Sequence, residues 1–123
     1  RCTDTADEHY EALHTMEEQL KGFRTRKGEP YQRIALPMAD AIYDSEGERL
    51  PATYANYLVM NQAVLYPTYA QPANDEAAAR ALAKAFPGRE IVGVDCRALI
   101  YQHGSLHCAT MQYPEGVFPE VTP

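Results

Sequence analysis

The sequence predicts a mixed α/β fold, and three observations carry that reading. Residues 7–23 and 75–86 place apolar side chains at helical spacing. Residues 54–60 and 63–66 are strand-like runs separated only by Asn61-Gln62, a connection at which asparagine tolerates positive φ. Residues 91–94, Ile-Val-Gly-Val, form the continuous apolar run of a strand covered on both faces. Hairpin, helix and strand in this order make one complete α/β unit, with the first helix and the strand after it belonging to a preceding unit.

Taken in order, the first helix carries Tyr10, Leu13, Leu20 and Phe23 on one side, with Met16 near the stripe. Glu11, Glu17, Glu18 and Lys21 lie opposite. Asp4, Thr5 and Asp7 are its candidate caps, and Gly22 with the basic loop Arg24, Arg26 and Lys27 ends it. Residues 31–37 alternate in part and stop at Pro37, which reads as a strand. Residues 38–49 are a polar excursion with its turn at Asp44-Ser45-Glu46-Gly47, the pattern of a surface flap. Asn56 interrupts the next strand, where it makes either a structural or a substrate-facing contact, since a buried amide without partners costs about 1–3 kcal/mol. Asn74 is the candidate N-cap of the second helix, whose inner face is Ala77, Ala81, Leu82, Ala85 and Phe86. Pro87-Gly88 stops it.

With 123 residues and an apolar share of 46%, the chain is large enough to bury one ordinary core. A formal charge of −6 without a clustered basic stretch argues against nucleic acid as a partner. It is compatible with a cationic substrate, but it reads foremost as the mild acidity of an ordinary soluble protein. No apolar run approaches a membrane span, and no signal-peptide pattern is present. Cys2, Cys96 and Cys108 are odd in number and lack metal-ligand spacing, which fits reduced thiols in the cytoplasm and neither metal nor cofactor. His9 and His14 are five apart, so they form no helical metal pair.

The chemistry is concentrated where a Gly-Ser turn feeds a short strand-like run: Gly104-Ser105-Leu106-His107-Cys108-Ala109-Thr110-Met111-Gln112. A free cysteine ordinarily packs as a small hydrophobe, and Cys96 keeps that reading, whereas Cys2, near a terminus, is incidental. Cys108 differs, because the glycine before it lets a substrate or backbone approach a thiol that is nucleophilic as thiolate. Adjacent residues on a strand point to opposite faces, so His107 is no base for Cys108; it anchors the turn or fills a polar pocket.

This stretch resembles the G-[GS]-x-H-C-x-T-x-Q signature that closes the agmatine deiminase and bacterial-type peptidylarginine deiminase family, within the guanidino-group-modifying superfamily. Leu50-Pro51-Ala52-Thr53-Tyr54-Ala55-Asn56-Tyr57, Asn61, residues 64–69 and 75–81, and Phe86-Pro87-Gly88-Arg89-Glu90-Ile91-Val92-Gly93-Val94-Asp95 are similar to the family's preceding segments in the same order. The likeness covers residues 50–114, and more loosely the region from Asp7 onward. His103 stands where the commonest family pattern has glycine, which leaves its role open.

The resemblance implies a five-bladed α/β propeller, the pentein fold, of which this chain supplies about two modules. Residues 1–50 are then the remnant of the penultimate module with its loop, and residues 51–123 the C-terminal module carrying the nucleophile. A first residue that is Arg rather than Met fits a C-terminal piece of a larger enzyme. The implied site is Cys108 as nucleophile, with Asn56, Gly104, Ser105 and His107 binding substrate or supporting it, and no metal. The implied activity is hydrolysis of agmatine to N-carbamoylputrescine and ammonia. No segment here matches the family's general-acid histidine or guanidinium-binding carboxylates, so the piece alone is expected to be inactive. Its expected partners are a small cationic guanidino substrate, the missing N-terminal modules and further copies of itself in a homo-oligomer. Peptidylarginine hydrolysis, or a non-catalytic interaction module, are the competing expectations.

Overall fold

Two helices, a three-stranded sheet and two short 3-10 turns make up residues 1–117, the part that the computed structural model describes. Helix α1, Tyr10–Gly22, follows a tight turn in which Asp4 accepts from the Ala6 amide and Asp7 from the His9 amide. The expected capping residues therefore act one turn upstream, since His9 at the N-cap makes no side-chain capping bond. None of the residues of α1 is buried. Leu20 and Phe23, on the apolar stripe, and Met16 near it are exposed.

Residues 31–37 join no ladder, contrary to the strand expected there; the bridges on either side, Arg24 with Pro30 and Tyr43 with Arg49, are isolated. Alternation marks a segment with two unlike faces, and a strand also needs an edge to pair with. Residues 38–49 are no free flap. The Gln71 amide grips the backbone of Asp40 with bonds of 2.8 and 2.9 Å, Ala39 and Leu50 are buried, and Arg49 makes a forked ion pair with Asp7 at 2.9–3.1 Å.

The sheet has the order β1-β2-β3, with β1 Leu58–Val59, β2 Ala63–Thr68 and β3 Glu90–Asp95. β1 and β2 form the predicted hairpin through Asn61-Gln62, closed by Met60 N–H donating to the Ala63 carbonyl at 2.8 Å. β1 is shorter than the run 54–60, because residues 53–56 form a turn instead; Asn56 N–H donates to the Thr53 carbonyl at 3.3 Å. β3 pairs parallel to β2. Cys96 N–H donates to the Thr68 carbonyl, so even-numbered residues of β2 turn their backbone groups to β3 and odd-numbered ones to β1. Pro67 then presents its missing N–H beyond the end of β1, where no ladder bond is lost.

Helix α2, Pro72–Ala85, crosses between the parallel strands, with Pro72 at its first turn and Gln71, not Asn74, at the N-cap. It buries Ala78 and Leu82, half-buries Ala77 and Ala81, and leaves Ala85 exposed, so the inner face is rotated from the expected one. Ala78 and Leu82 meet Val64, Tyr66, Cys96 and Ile100 in one core. Full burial of side chains such as Leu82 or Ile100 stabilises the fold by about 1.5–3 kcal/mol each. β3 is covered less than its apolar run implied: Ile91, Val92 and Val94 are only half-buried. Gly93 makes room for Tyr66, whose Oη would lie 3.2 Å from a Cβ at that position. The two parallel strands end side by side at Thr68 and Asp95, and the chain after β3 leads to the turn that carries Cys108.

Candidate active site

Cys108 sits in the 3-10 turn His107–Ala109, not on a strand. Ala109 and Thr110 N–H close the turn on the Leu106 and His107 carbonyls, and Thr110 Oγ1 donates to the His107 carbonyl at 2.8 Å. The strand argument about His107 therefore does not apply. Its side chain is exposed, and its contribution to the site is the backbone: His107 N–H donates to Asn56 Oδ1 at 2.6 Å.

Asn56 is the centre of the arrangement. Its Oδ1 also accepts from the Cys108 amide at 3.3 Å, which leaves its Nδ2 facing the sulfur, 3.1 Å from Cys108 Sγ. The asparagine thus clamps the turn and donates to the thiol with one side chain. The Asn56 hydrogen bond, aided by the Ser105 and Cys108 amides, holds the Cys108 thiol below the ordinary cysteine range. All three are donors, so they favour thiolate over thiol. Cys108 is exposed, as a group that meets a substrate must be. Gly104 lies against it, and a Cβ there would fall 3.0 Å from Cys108 Cβ and 3.5 Å from Sγ. Asn56 and His107, with Tyr57, Val59 and Gln112, line a cleft of about 410 Å³.

Ser105 turns inward and is the buried polar side chain among the described residues. Its Oγ lies 2.9 Å from Tyr69 Oη, which donates to the Thr53 carbonyl and accepts from the Thr53 amide, both at 3.0 Å. The Cys96 thiol is fully buried, and that burial pushes its pKa up. The five residues that sequence reasoning singled out, Asn56, Gly104, Ser105, His107 and Cys108, therefore converge. Among the described residues no group of three or more His, Cys, Asp or Glu side chains is arranged to hold a metal ion, and no helix is long and apolar enough to cross a membrane.

Residues 1–114 match the family described as Porphyromonas-type peptidyl-arginine deiminase. The chain belongs to this family. A solved structure reported as the "Putative Arginine Deiminase" of Porphyromonas gingivalis is 53% identical, with a TM-score of 0.90 over 94% of this chain and 34% of its own. An agmatine deiminase of C. jejuni, solved as a cysteine-to-serine variant with substrate bound, is 42% identical with a TM-score of 0.72, over 86% of this chain and 29% of its own. The "Putative agmatine deiminase" of Marinomonas sp. (strain MWYL1) is 33% identical over 130 residues, 93% of this chain and 35% of its length. The chain spans about a third of the length of the curated relatives it matches.

Against the family's usual glycine, His103 adopts a left-handed backbone with φ of 56°. That conformation is one glycine takes without a Cβ penalty, which accounts for the pattern physically. Sequence reasoning missed Tyr69 and Thr53. No local signal marks them, because the bonds that matter join residues 16 and 36 positions apart. It also gave no role to Gln112, whose Nε2 donates to the Val59 carbonyl at 2.6 Å and holds the segment after Cys108 against β1.

Proposed function

We propose that Cys108 is the nucleophile of a guanidino-group hydrolase to which this chain contributes its C-terminal part, with agmatine as the substrate. The observation that carries the proposal is the exposed Cys108 sulfur held by the Asn56 amide at 3.1 Å beside a glycine that leaves it open. The C. jejuni agmatine deiminase, solved with a cysteine replaced by serine and substrate bound, supports the same assignment. The thiolate adds to the guanidinium carbon, and ammonia leaves with a proton from a histidine outside this chain. The remaining amidino-thioether is attacked by water, which expels the thiolate and releases a ureido product. Bidentate carboxylates that grip the delocalised cation also lie outside the chain, so the 123 residues alone are inactive. Peptidyl-arginine is the second reading, favoured by the family description.

The same reading includes a five-bladed propeller with 1–50 and 51–123 as parts of its last two modules. Three unpaired thiols support a reducing, cytoplasmic compartment. The exposed apolar face of α1 supports association with the remaining modules or, in the isolated chain, with a second copy. A sedimentation experiment that finds the isolated chain strictly monomeric sinks self-association. The function is tested by ammonia and ureido-product release from agmatine and from an arginine peptide. The complete polypeptide, its Cys108→Ala variant and the 123-residue chain are assayed side by side. Turnover of agmatine in the complete polypeptide alone supports the proposal; turnover of the peptide only moves the substrate to peptidyl-arginine. Activity that survives Cys108→Ala refutes it.

A further inference from the structure

The site is built on two loops that are distant in the chain: residues 53–56, which carry Asn56, and residues 104–108, which carry the sulfur. Two sets of bonds join them. One is the Asn56 clamp on the 107–108 amides, which is exposed to water. The other runs through a buried side chain. Tyr69 stands just after β2 with its side chain 2% exposed, and its hydroxyl accepts from Thr53 N–H while donating to Thr53 C=O. With its own proton used there, Tyr69 takes the Ser105 proton at 2.9 Å. Ser105 belongs to the loop that carries the sulfur, next to Gly104, which lies against Cys108, and its amide helps to hold the Cys108 thiol below the ordinary cysteine range.

We propose that the Tyr69 hydroxyl is a positioning group for Cys108: by joining Thr53 to Ser105 it holds the Asn56 loop against the loop that carries the sulfur. The proposal rests on Cys108 being the reacting group. Burial raises the pKa of Tyr69, so the hydroxyl keeps its proton over the range in which the thiol titrates. Without that oxygen the buried Ser105 hydroxyl and the Thr53 N–H and C=O lose their common partner, and the hydrogen bonds left between the two loops are those of the exposed clamp. Tyr54 provides the comparison. It is buried beside Thr53, but its hydroxyl donates to Asp75 at 2.7 Å, away from the sulfur.

The test uses Tyr69→Phe, Ser105→Ala, their double variant and Tyr54→Phe in the complete polypeptide. Alkylation of Cys108 by iodoacetamide is followed by peptide mass across pH, with thermal melting to show that each variant is folded. Tyr69→Phe and Ser105→Ala each displace the alkylation profile to higher pH and slow the reaction at neutral pH by about threefold to tenfold, the range for one net hydrogen bond. The double variant is no slower than the worse single one, because both remove the same link. Tyr54→Phe lowers the melting temperature and leaves the profile in place. If Tyr69→Phe does not fold, Ser105→Ala tests the link from its other end. An unmoved profile in a folded variant, or an equal displacement in Tyr54→Phe, overturns the proposal. The readout needs no turnover: an unmoved profile beside agmatine turnover lost in Cys108→Ala removes the positioning role alone, and a displaced profile in a protein silent toward guanidino compounds removes the deiminase reading alone.

Discussion

Helices α1 and α2 have nearly the same length, 13 and 14 residues, and both carry an apolar stripe, yet only α2 buries any of it. α2 lies across a parallel strand pair that supplies Val64 and Tyr66, whereas α1 faces residues 33–36, which belong to no sheet. Amphipathicity states that a face needs cover. It does not state that the cover is in the same stretch of chain. The same contrast separates the Cys108 region, where bonds between distant loops converge on the buried Tyr69 and Ser105, from the turn before α1, which the Arg49 pair with Asp7 and Glu8 ties to residues 38–49.

The largest expected effect tests whether the chemistry belongs wholly to the first of these regions. Cys108→Ala in the complete polypeptide lowers kcat by at least about 10³-fold, as loss of a nucleophile does, and steady-state ammonia release measures it. A smaller loss would move the chemistry elsewhere. Next comes packing. Leu82→Ala destabilises the chain by about 2–5 kcal/mol in urea unfolding, whereas Leu20→Ala changes it by less than about 0.5 kcal/mol. Equal costs would mean that α1 is packed after all and would erase the comparison.

Within the site, Asn56→Ala removes the principal donor to the sulfur, so the Cys108 thiol rises toward its ordinary range. Alkylation at neutral pH slows by roughly tenfold, and the difference closes at high pH, where both thiols are ionised. The smallest effect belongs to the N-terminal tie. Arg49 holds the Asp7 carboxyl below the usual aspartate range, chiefly through its hydrogen bonds. A carboxylate depressed in the folded state stabilises it fully above its unfolded pKa and loses that contribution as pH falls through the folded value. Asp7→Asn should therefore flatten the acid limb of a stability-versus-pH curve below about pH 4 and leave its neutral part lower. An unchanged acid limb would show that the segment is held some other way.

Reading the sequence located both helices, the hairpin and β3, because each is a local pattern of period 3.6, period 2 or a single apolar run. It misplaced the start of α2, although Pro72 offers the signal that Asn74 obscured, since proline favours the first helical turn. It read residues 31–37 and the segment around Cys108 as extended, because a strand and an irregular segment share the same composition when no partner edge is known. The group of Gly104, Ser105, His107 and Cys108 was legible as a contiguous run with a family resemblance. Asn56 was legible only as a polar residue in an apolar stretch, with its role left between structure and substrate.

By itself, then, the sequence determined which segments become helices and hairpin, and that a Gly-Ser turn precedes Cys108. Tertiary structure decided that Asn56 meets Cys108 across 52 residues, that Tyr69 joins Thr53 to Ser105, and that α1 keeps its apolar face open. The physical reason is the range of the forces involved. Backbone sterics and side-chain periodicity act within a few residues, whereas a hydrogen bond between distant loops depends on strand register and packing that no local pattern encodes.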